Sequence, residues 1–413
     1  MRIHARWLLP VSGPPVRDGT VIVDGRSITY VGPRQGAPTG STDLDLGDAI
    51  LLPGLVNAHI HLDLGALEGK LASRDFFAWM RELMGHLGAL PTDALREGAR
   101  RSVVEQLAMG VTTMADTAPH RFGFDALREF GARGIAYREV FGPDPAQCAD
   151  SLAGLQAAVD DMRADETDLV RVGVSPHAPF SVADALYTAV AEYARAADLP
   201  IAVHIAESVA ETELVRDADG PFARYLRDVR GIAVTPRGAS PIAVLERTGI
   251  LAQRPLCIHA VQVAPDDVAR LAAARAPVAH CPCSNRWFGH GAAPIAAYRR
   301  AGITVGLGTD SIASNTQVQL AVEAAHIADP SLTAADRIAL LTQGGAAALG
   351  LADRIGVLRA GWEADLAAFP IVDAQAADTD PERYLLDHAL TAAARFVMVA
   401  GRDRTGGRWV TNA

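Results

Sequence analysis

Two histidines one residue apart, His59 and His61, lie within an apolar run from Leu51 to Leu62. Successive side chains of a strand point to opposite faces, so both imidazoles aim at one place while Ile60 turns aside. A lone histidine on an apolar strand is usually a core residue, whereas an aimed pair raises the question of a metal. The rest of the chain bears on the choice. Polar residues recur at the C-terminal ends of later apolar runs: His177, then His204 with Glu207, then His259, His280 and Asp310. Three neutral imidazoles and one carboxylate suit a borderline divalent cation, zinc first and iron as the alternative, and leave a position open for water. An open position means catalysis. A structural zinc site would be closed, usually by cysteines, and Cys281 and Cys283 have the wrong spacing for one.

The elements that must carry these residues follow from the texture of the chain. Eight strand-like runs alternate with longer Ala/Leu/Arg-rich helical segments: "GLVNAHIHL" (54–62), "GVTTMADT" (110–117), "GIAYREVFG" (134–142), "VRVGVSPH" (170–177), "PIAVHIAE" (200–207), "PLCIHAVQ" (255–262), "PVAHCPCSN" (277–285) and "ITVGLGTD" (303–310). Eight β/α units imply an α/β protein built on a (β/α)8 TIM barrel, whose chemistry gathers at the C-terminal strand ends. We place that barrel at 53–358. Residues 1–52 read as short strands with turn signals, and 359–413 resume that pattern, so the two termini are expected to pair into a small β-sandwich.

Composition narrows the function classes. The 413 residues are 49% hydrophobic and 21% charged, which suits a globular chain with a sizeable core. A net charge of −10 argues against a nucleic-acid or anionic-membrane binder. No run approaches a membrane span and the N-terminus lacks a signal-peptide core, so a cytoplasmic protein is expected. A homodimer is expected by base rate.

The motifs "PGLVNAHIHLD", "HIAES", "CIHAVQ", "HCPCSN" and "GLGTDSIASN", in that order, resemble the amidohydrolase superfamily, specifically its aminohydrolase branch of deaminases and triazine hydrolases. The resemblance implies His59, His61, His204 and Asp310 as ligands of one metal. It implies Glu207 as proton shuttle and His259 as a partner of the attacking water, with Asp310 accepting a proton while remaining a ligand. Binuclear members carry a carboxylated lysine on the fourth strand. Here that strand ends in His177 and the only lysine is Lys70, so a mononuclear site is implied. The zinc signature of cytidine-type deaminases, H-x-E followed by P-C-x-x-C, does not occur.

Substrate residues are read from the same sources. "SPHAPFSV" (175–182) is similar to a stretch of S-adenosylhomocysteine deaminases, which makes His177 a substrate-side candidate. "RDFFAWMRELM" (74–84) offers Phe76 and Trp79 as a wall over a flat heterocycle, and its F-x-x-W pattern resembles that of aminodeoxyfutalosine deaminases. Phe288 and Phe180 add stacking surface, Arg286 or Arg138 meets a carboxylate, and His280 contacts substrate or packs. His86, His120, His290 and His326 are read as ordinary loop or helix residues. The expected activity is hydrolytic deamination of an adenine-type nucleoside or other N-heterocycle. The alternatives are hydrolysis of another bond, in a cyclic amide or a chlorinated triazine, and a non-catalytic barrel scaffold.

Overall fold

A computed structural model of the chain describes residues 1–39 and 42–405. Residues 406–413, the end of the expected C-terminal segment, lie outside the described residues. The first strands are β1 (Arg2–Leu8), β2 (Val16–Asp24), β3 (Ser27–Pro33), β4 (Asp43–Asp45) and β5 (Ala49–Pro53). The eight runs expected for the α/β unit all form strands: β6 (Leu55–Ile60), β7 (Val111–Ala118), β8 (Arg133–Val140), β9 (Val170–Pro176), β10 (Ala202–Ile205), β11 (Leu256–His259), β12 (Val278–His280) and β13 (Val305–Leu307). The last strands are β14 (Leu366–Pro370), β15 (Phe396–Val399) and β16 (Arg402–Asp403).

Strands β6 to β9 form one parallel four-stranded sheet and β10 to β13 another, each in sequence order. Parallel bridges join the two at both edges, Val174 to Ile201 and Ile60 to Asp310. The edge bonds include His204 N to His177 O at 2.9 Å and Thr309 N to His59 O at 2.9 Å. These seams therefore carry the histidines and the acid. Gly308 permits the second seam: a Cβ there would sit 2.8 Å from the His59 Cβ.

Alternation sorts the side chains. Val56, Ala58, Ala115, Ile135, Tyr137, Ala202, Ile258 and Ala279 form an inner cluster between the parallel strands. The opposite strand faces, Met114, Val172, Val203, Cys257 and Val278 among them, join the larger core beneath the helices. Helix α1 (Phe76–Ala89) follows the β6 loop with Asp75 capping its N-terminus, and none of its residues is fully buried. Helix α2 (Thr92–Ala108) buries Leu95, Ala99, Ser102, Val103 and Gln106 along one face.

Both termini contribute to one further sheet, ordered β16-β15-β14-β5-β1-β2-β3 with β4 beside β1. Its strands also obey the period of two: Leu51, Leu366, Ala368, Phe396 and Met398 enter a separate core with Ile3, Ala5, Val21 and Val23, while Leu52, Ala367, Phe369, Val397 and Val399 face the main core.

Candidate active site

The β6 end departs from simple alternation. Its pairing to β7 shifts register between Asn57 and Ile60, and such irregularities re-aim side chains beside functional sites. Asn57 holds the shifted segment: its Nδ2 donates to Gln106 Oε1 at 3.0 Å and to Thr309 Oγ1 at 2.8 Å, tying β6 to the residue before Asp310. His61 Nδ1 donates to the Thr117 carbonyl at 2.6 Å, which leaves its Nε2 bare. Nδ1 of His59 lies 3.3 Å from Thr117 Oγ1.

The bare nitrogens converge. His59 and His204 bring their Nε2 atoms to 3.3 Å. Asp310 Oδ1 lies 3.5 Å from His61 Nε2 and 3.6 Å from His59 Nε2. Tetrahedral zinc with bonds of about 2.0–2.1 Å separates neighbouring ligand atoms by about 3.4 Å, so the spacing fits a four-ligand divalent site. Oδ2, the other oxygen of Asp310, accepts from Ser284 Oγ at 2.5 Å and Ser314 Oγ at 2.8 Å, which fixes the direction of Oδ1. Burial pushes His59 down to about 3 and His204 well below its ordinary value, keeping both imidazoles neutral. Neutral nitrogens and one carboxylate are the donor chemistry such a cation takes.

Next to this cluster, Glu207 sits in a turn where Ala206 has φ of 50°. Glu211 accepts the backbone N–H groups of Ala206 at 2.7 Å and Glu207 at 3.0 Å and so secures the turn. Burial, with Asp310 adding to it, pushes the Glu207 carboxyl up to about 8, so the group is a proton-carrying acid at neutral pH. His259 has φ of 70°, a left-handed backbone that swings its ring from the outer strand face to the ligands, 5.9 Å from the His59 ring. Its Nδ1 donates to Asn285 Oδ1 at 2.9 Å and leaves Nε2 as an acceptor.

An aromatic cluster, the roof, adjoins the site through His290 and His177. Phe76 stacks on Trp79 at 5.6 Å and meets Phe288 and His290, each at 5.1 Å. Phe180 stacks on Phe222 at 4.1 Å and approaches His177 at 5.6 Å. His177 lies 4.9 Å from the His204 ring and turns its Nδ1 to Ser181 Oγ at 2.7 Å.

Three expectations are corrected. Arg286 is exposed on the short helix Pro282–Trp287, whose buried face is taken by Ser284 and Asn285, so it does not line the site. Arg138 pairs with Ala118 on the strand face opposite that of Tyr137, away from the inner cluster. His290, read as ordinary, is buried with its Nε2 3.5 Å from Glu207 Oε1. No strand pattern marks His290, because it arrives on the loop after that short helix. His280 is buried on the strand face of Val278 and, among the described residues, makes no ring contact with the other histidines. Glu139 also escaped the sequence reading: a carboxylate oxygen of Glu139 and one ring nitrogen each of His177 and His204 lie within 4.8 Å of one another.

The chain is 31% identical over 373 residues to the 5-methylthioadenosine/S-adenosylhomocysteine deaminase of Moorella thermoacetica, covering 87% of this chain and 83% of that protein. It is 32% identical over 284 residues to the aminodeoxyfutalosine deaminase of Deinococcus radiodurans, covering 67% of each. The structure superposes on a zinc-bound adenosine deaminase from Xanthomonas campestris with a TM-score of 0.82 at 25% identity, covering 97% of this chain and 92% of that one. With the amidohydrolase family model matching residues 50–400, the chain belongs to the amidohydrolase family.

Proposed function

We propose that this chain is a mononuclear, metal-dependent hydrolytic deaminase of an adenine-type nucleoside, of the class represented by methylthioadenosine, S-adenosylhomocysteine or aminodeoxyfutalosine. The observation that carries the reading is Glu207, a buried acid three residues after His204 and beside Asp310. The relatives named above supply the substrate class. We assign His59, His61, His204 and Asp310 as the metal ligands and zinc as the metal. When bound, zinc lowers the pKa of water toward about 7 and so supplies a nucleophile at neutral pH.

The chain's own residues handle the protons. Glu207 donates its proton to the ring nitrogen as water attacks the adjacent amine-bearing carbon. Asp310 accepts one proton of that water and passes it to the amine. The carbon–nitrogen bond breaks, ammonia leaves, and the remaining hydroxyl proton returns to Glu207 as the new carbonyl forms. His259, its Nδ1–H held by Asn285, orients the attacking water through Nε2. The aromatic roof of Phe76, Trp79 and Phe288 sandwiches the base, with His177 on the substrate side.

The two parallel sheets with their bridged edges support a closed (β/α)8 barrel over 53–358. The separate core enclosed by the mixed sheet supports a β-sandwich built from 1–52 and 359–413. Four free cysteines support a cytoplasmic setting, and among the described residues no helix is long and apolar enough to cross a membrane.

The test is ammonia release by the zinc-loaded protein across adenosine, methylthioadenosine, S-adenosylhomocysteine, aminodeoxyfutalosine, guanine and cytosine. Ammonia from a purine nucleoside, absent in Glu207→Ala, supports the reading. Silence across the panel with zinc bound overturns it.

A further inference from the structure

Glu139 lies on the strand face shared by Ile135 and Tyr137, so it points among the inner side chains near the C-terminal end of β8. It is 7% exposed, and its Oε1 is sealed from solvent with no hydrogen-bond partner among the described residues. Ser175, its register partner on β9, is 0% exposed with its Oγ equally unpartnered. A third unpartnered atom completes the group: His204 Nδ1. Buried polar atoms are almost always paired, and three without a partner on the adjoining strands β8, β9 and β10 point to hydrogen bonds that form among them or through water.

The chemistry of His204 indicates the pairing. Its Nε2 faces His59 Nε2 at 3.3 Å. A nitrogen that binds a cation must present a lone pair, which places the ring proton on Nδ1 and makes that atom a donor. His177 donates its own Nδ1–H to Ser181, and a Glu139 carboxyl oxygen lies within 4.8 Å of a ring nitrogen of His204, so Glu139 is the carboxyl placed to accept that proton.

We propose that Glu139 is a positioning residue whose carboxyl accepts the Nδ1–H of His204, directly or through one water shared with Ser175 Oγ, and thereby fixes the tautomer that offers Nε2 to the metal. The inference rests on His204 being a metal ligand. A carboxylate behind a ligating histidine both orients the ring and raises its basicity, and removing such a partner weakens metal binding by about 10- to 100-fold.

The experiment measures zinc affinity by competition with a chromophoric chelator, alongside the melting temperature of the metal-free protein. Glu139→Leu is expected to weaken zinc by about 10- to 100-fold, while Glu139→Gln, which keeps a carbonyl acceptor, stays within about 3-fold of wild type. Metal-free melting temperatures should match, which a merely structural role would not give. If Glu139→Leu does not fold, Glu139→Ala replaces it. In 15N-histidine-labelled zinc protein, the His204 Nδ1 proton should exchange slowly and be lost from the Leu or Ala variant. Wild-type zinc affinity in those variants overturns the proposal, and so does an equal loss in Glu139→Gln. A wild-type protein that fails to bind zinc overturns the metal reading instead.

Discussion

Glu207 Oε1 lies 3.5 Å from His290 Nε2 and 3.7 Å from His259 Nε2, so the acid beside the ligand cluster is enclosed by two buried imidazoles. Both rings are held below the ordinary histidine range by burial, His290 to about 4, and neither competes as a cation for the carboxyl's proton. The proton therefore stays on Glu207 until a basic ring nitrogen arrives. Replacing Glu207 with Gln keeps the shape and removes the transferable proton. We expect kcat to fall by about 100- to 10,000-fold with zinc content unchanged, measured by ammonia release and metal analysis. Loss of zinc together with activity would mean that Glu207 holds the site together instead.

The two hydroxyls on Asp310 make a separate prediction. Ser284 and Ser314 both donate to Oδ2, from 2.5 Å and 2.8 Å, and leave Oδ1 facing the histidines. Ser284→Ala or Ser314→Ala alone leaves one donor and should weaken zinc binding modestly. The double variant frees the carboxylate to rotate, and a loss of about 10- to 100-fold in zinc affinity is expected. Additive losses would mean that the serines act independently rather than as joint orienters.

How far the sequence carried is clearest in these residues. The strands and their order were legible because each is a short apolar run bounded by turn residues, and His59, His61, His204 and Asp310 fall at their ends. What was not legible depends on backbone that breaks the pattern. His259 reaches the site only because its φ is 70°, which alternation does not foresee. His290 rides a loop and meets Glu207 by tertiary packing. Glu139 sits in a run that reads as ordinary strand, and only the burial of its unpaired oxygen distinguishes it. Arg286 shows the converse: its neighbours Ser284 and Asn285 take the buried face of a six-residue helix and leave the arginine outside.

Buried titrating groups predict how stability responds to pH. Burial raises the carboxyls of Asp116, Glu207, Glu211 and Glu323 to about 8, so these groups favour the folded state while protonated and lose that contribution as pH rises toward 8. Burial lowers His59, His177 and His280 to about 3, and because unfolded imidazoles titrate around 6.5 their contribution is complete only about one unit above that. Between about pH 7.5 and 9 the acids dominate, and the unfolded chain, its carboxyls already ionised, binds fewer protons than the folded one. The metal-free protein should therefore melt at a lower temperature at pH 9 than at pH 7.5, by calorimetry. A rise over that window would show that these acids are ionised in the fold.

The roof supplies a prediction about specificity. Phe76 is the hub, with Trp79 stacked at 5.6 Å and Phe288 edge-on at 5.1 Å, and Trp79 is pinned by its Nε1–H to the Ala313 carbonyl at 2.6 Å. That bond ties α1 to the loop after Asp310, so the roof and the ligand cluster share a mechanical link. Stacking a base on an aromatic ring contributes about 1–3 kcal/mol, and about 1.4 kcal/mol is tenfold in binding. Phe76→Ala should therefore raise KM for a purine nucleoside about 10-fold or more while kcat changes far less, because the proton-handling groups are untouched. Trp79→Phe keeps a ring but cuts the tie to Ala313, and its effect should fall on kcat as the roof loses its registration over the base. Steady-state kinetics on both variants separate the two roles. Equal effects on KM and kcat in Phe76→Ala would mean that the ring only supports the fold of α1 and does not meet the substrate.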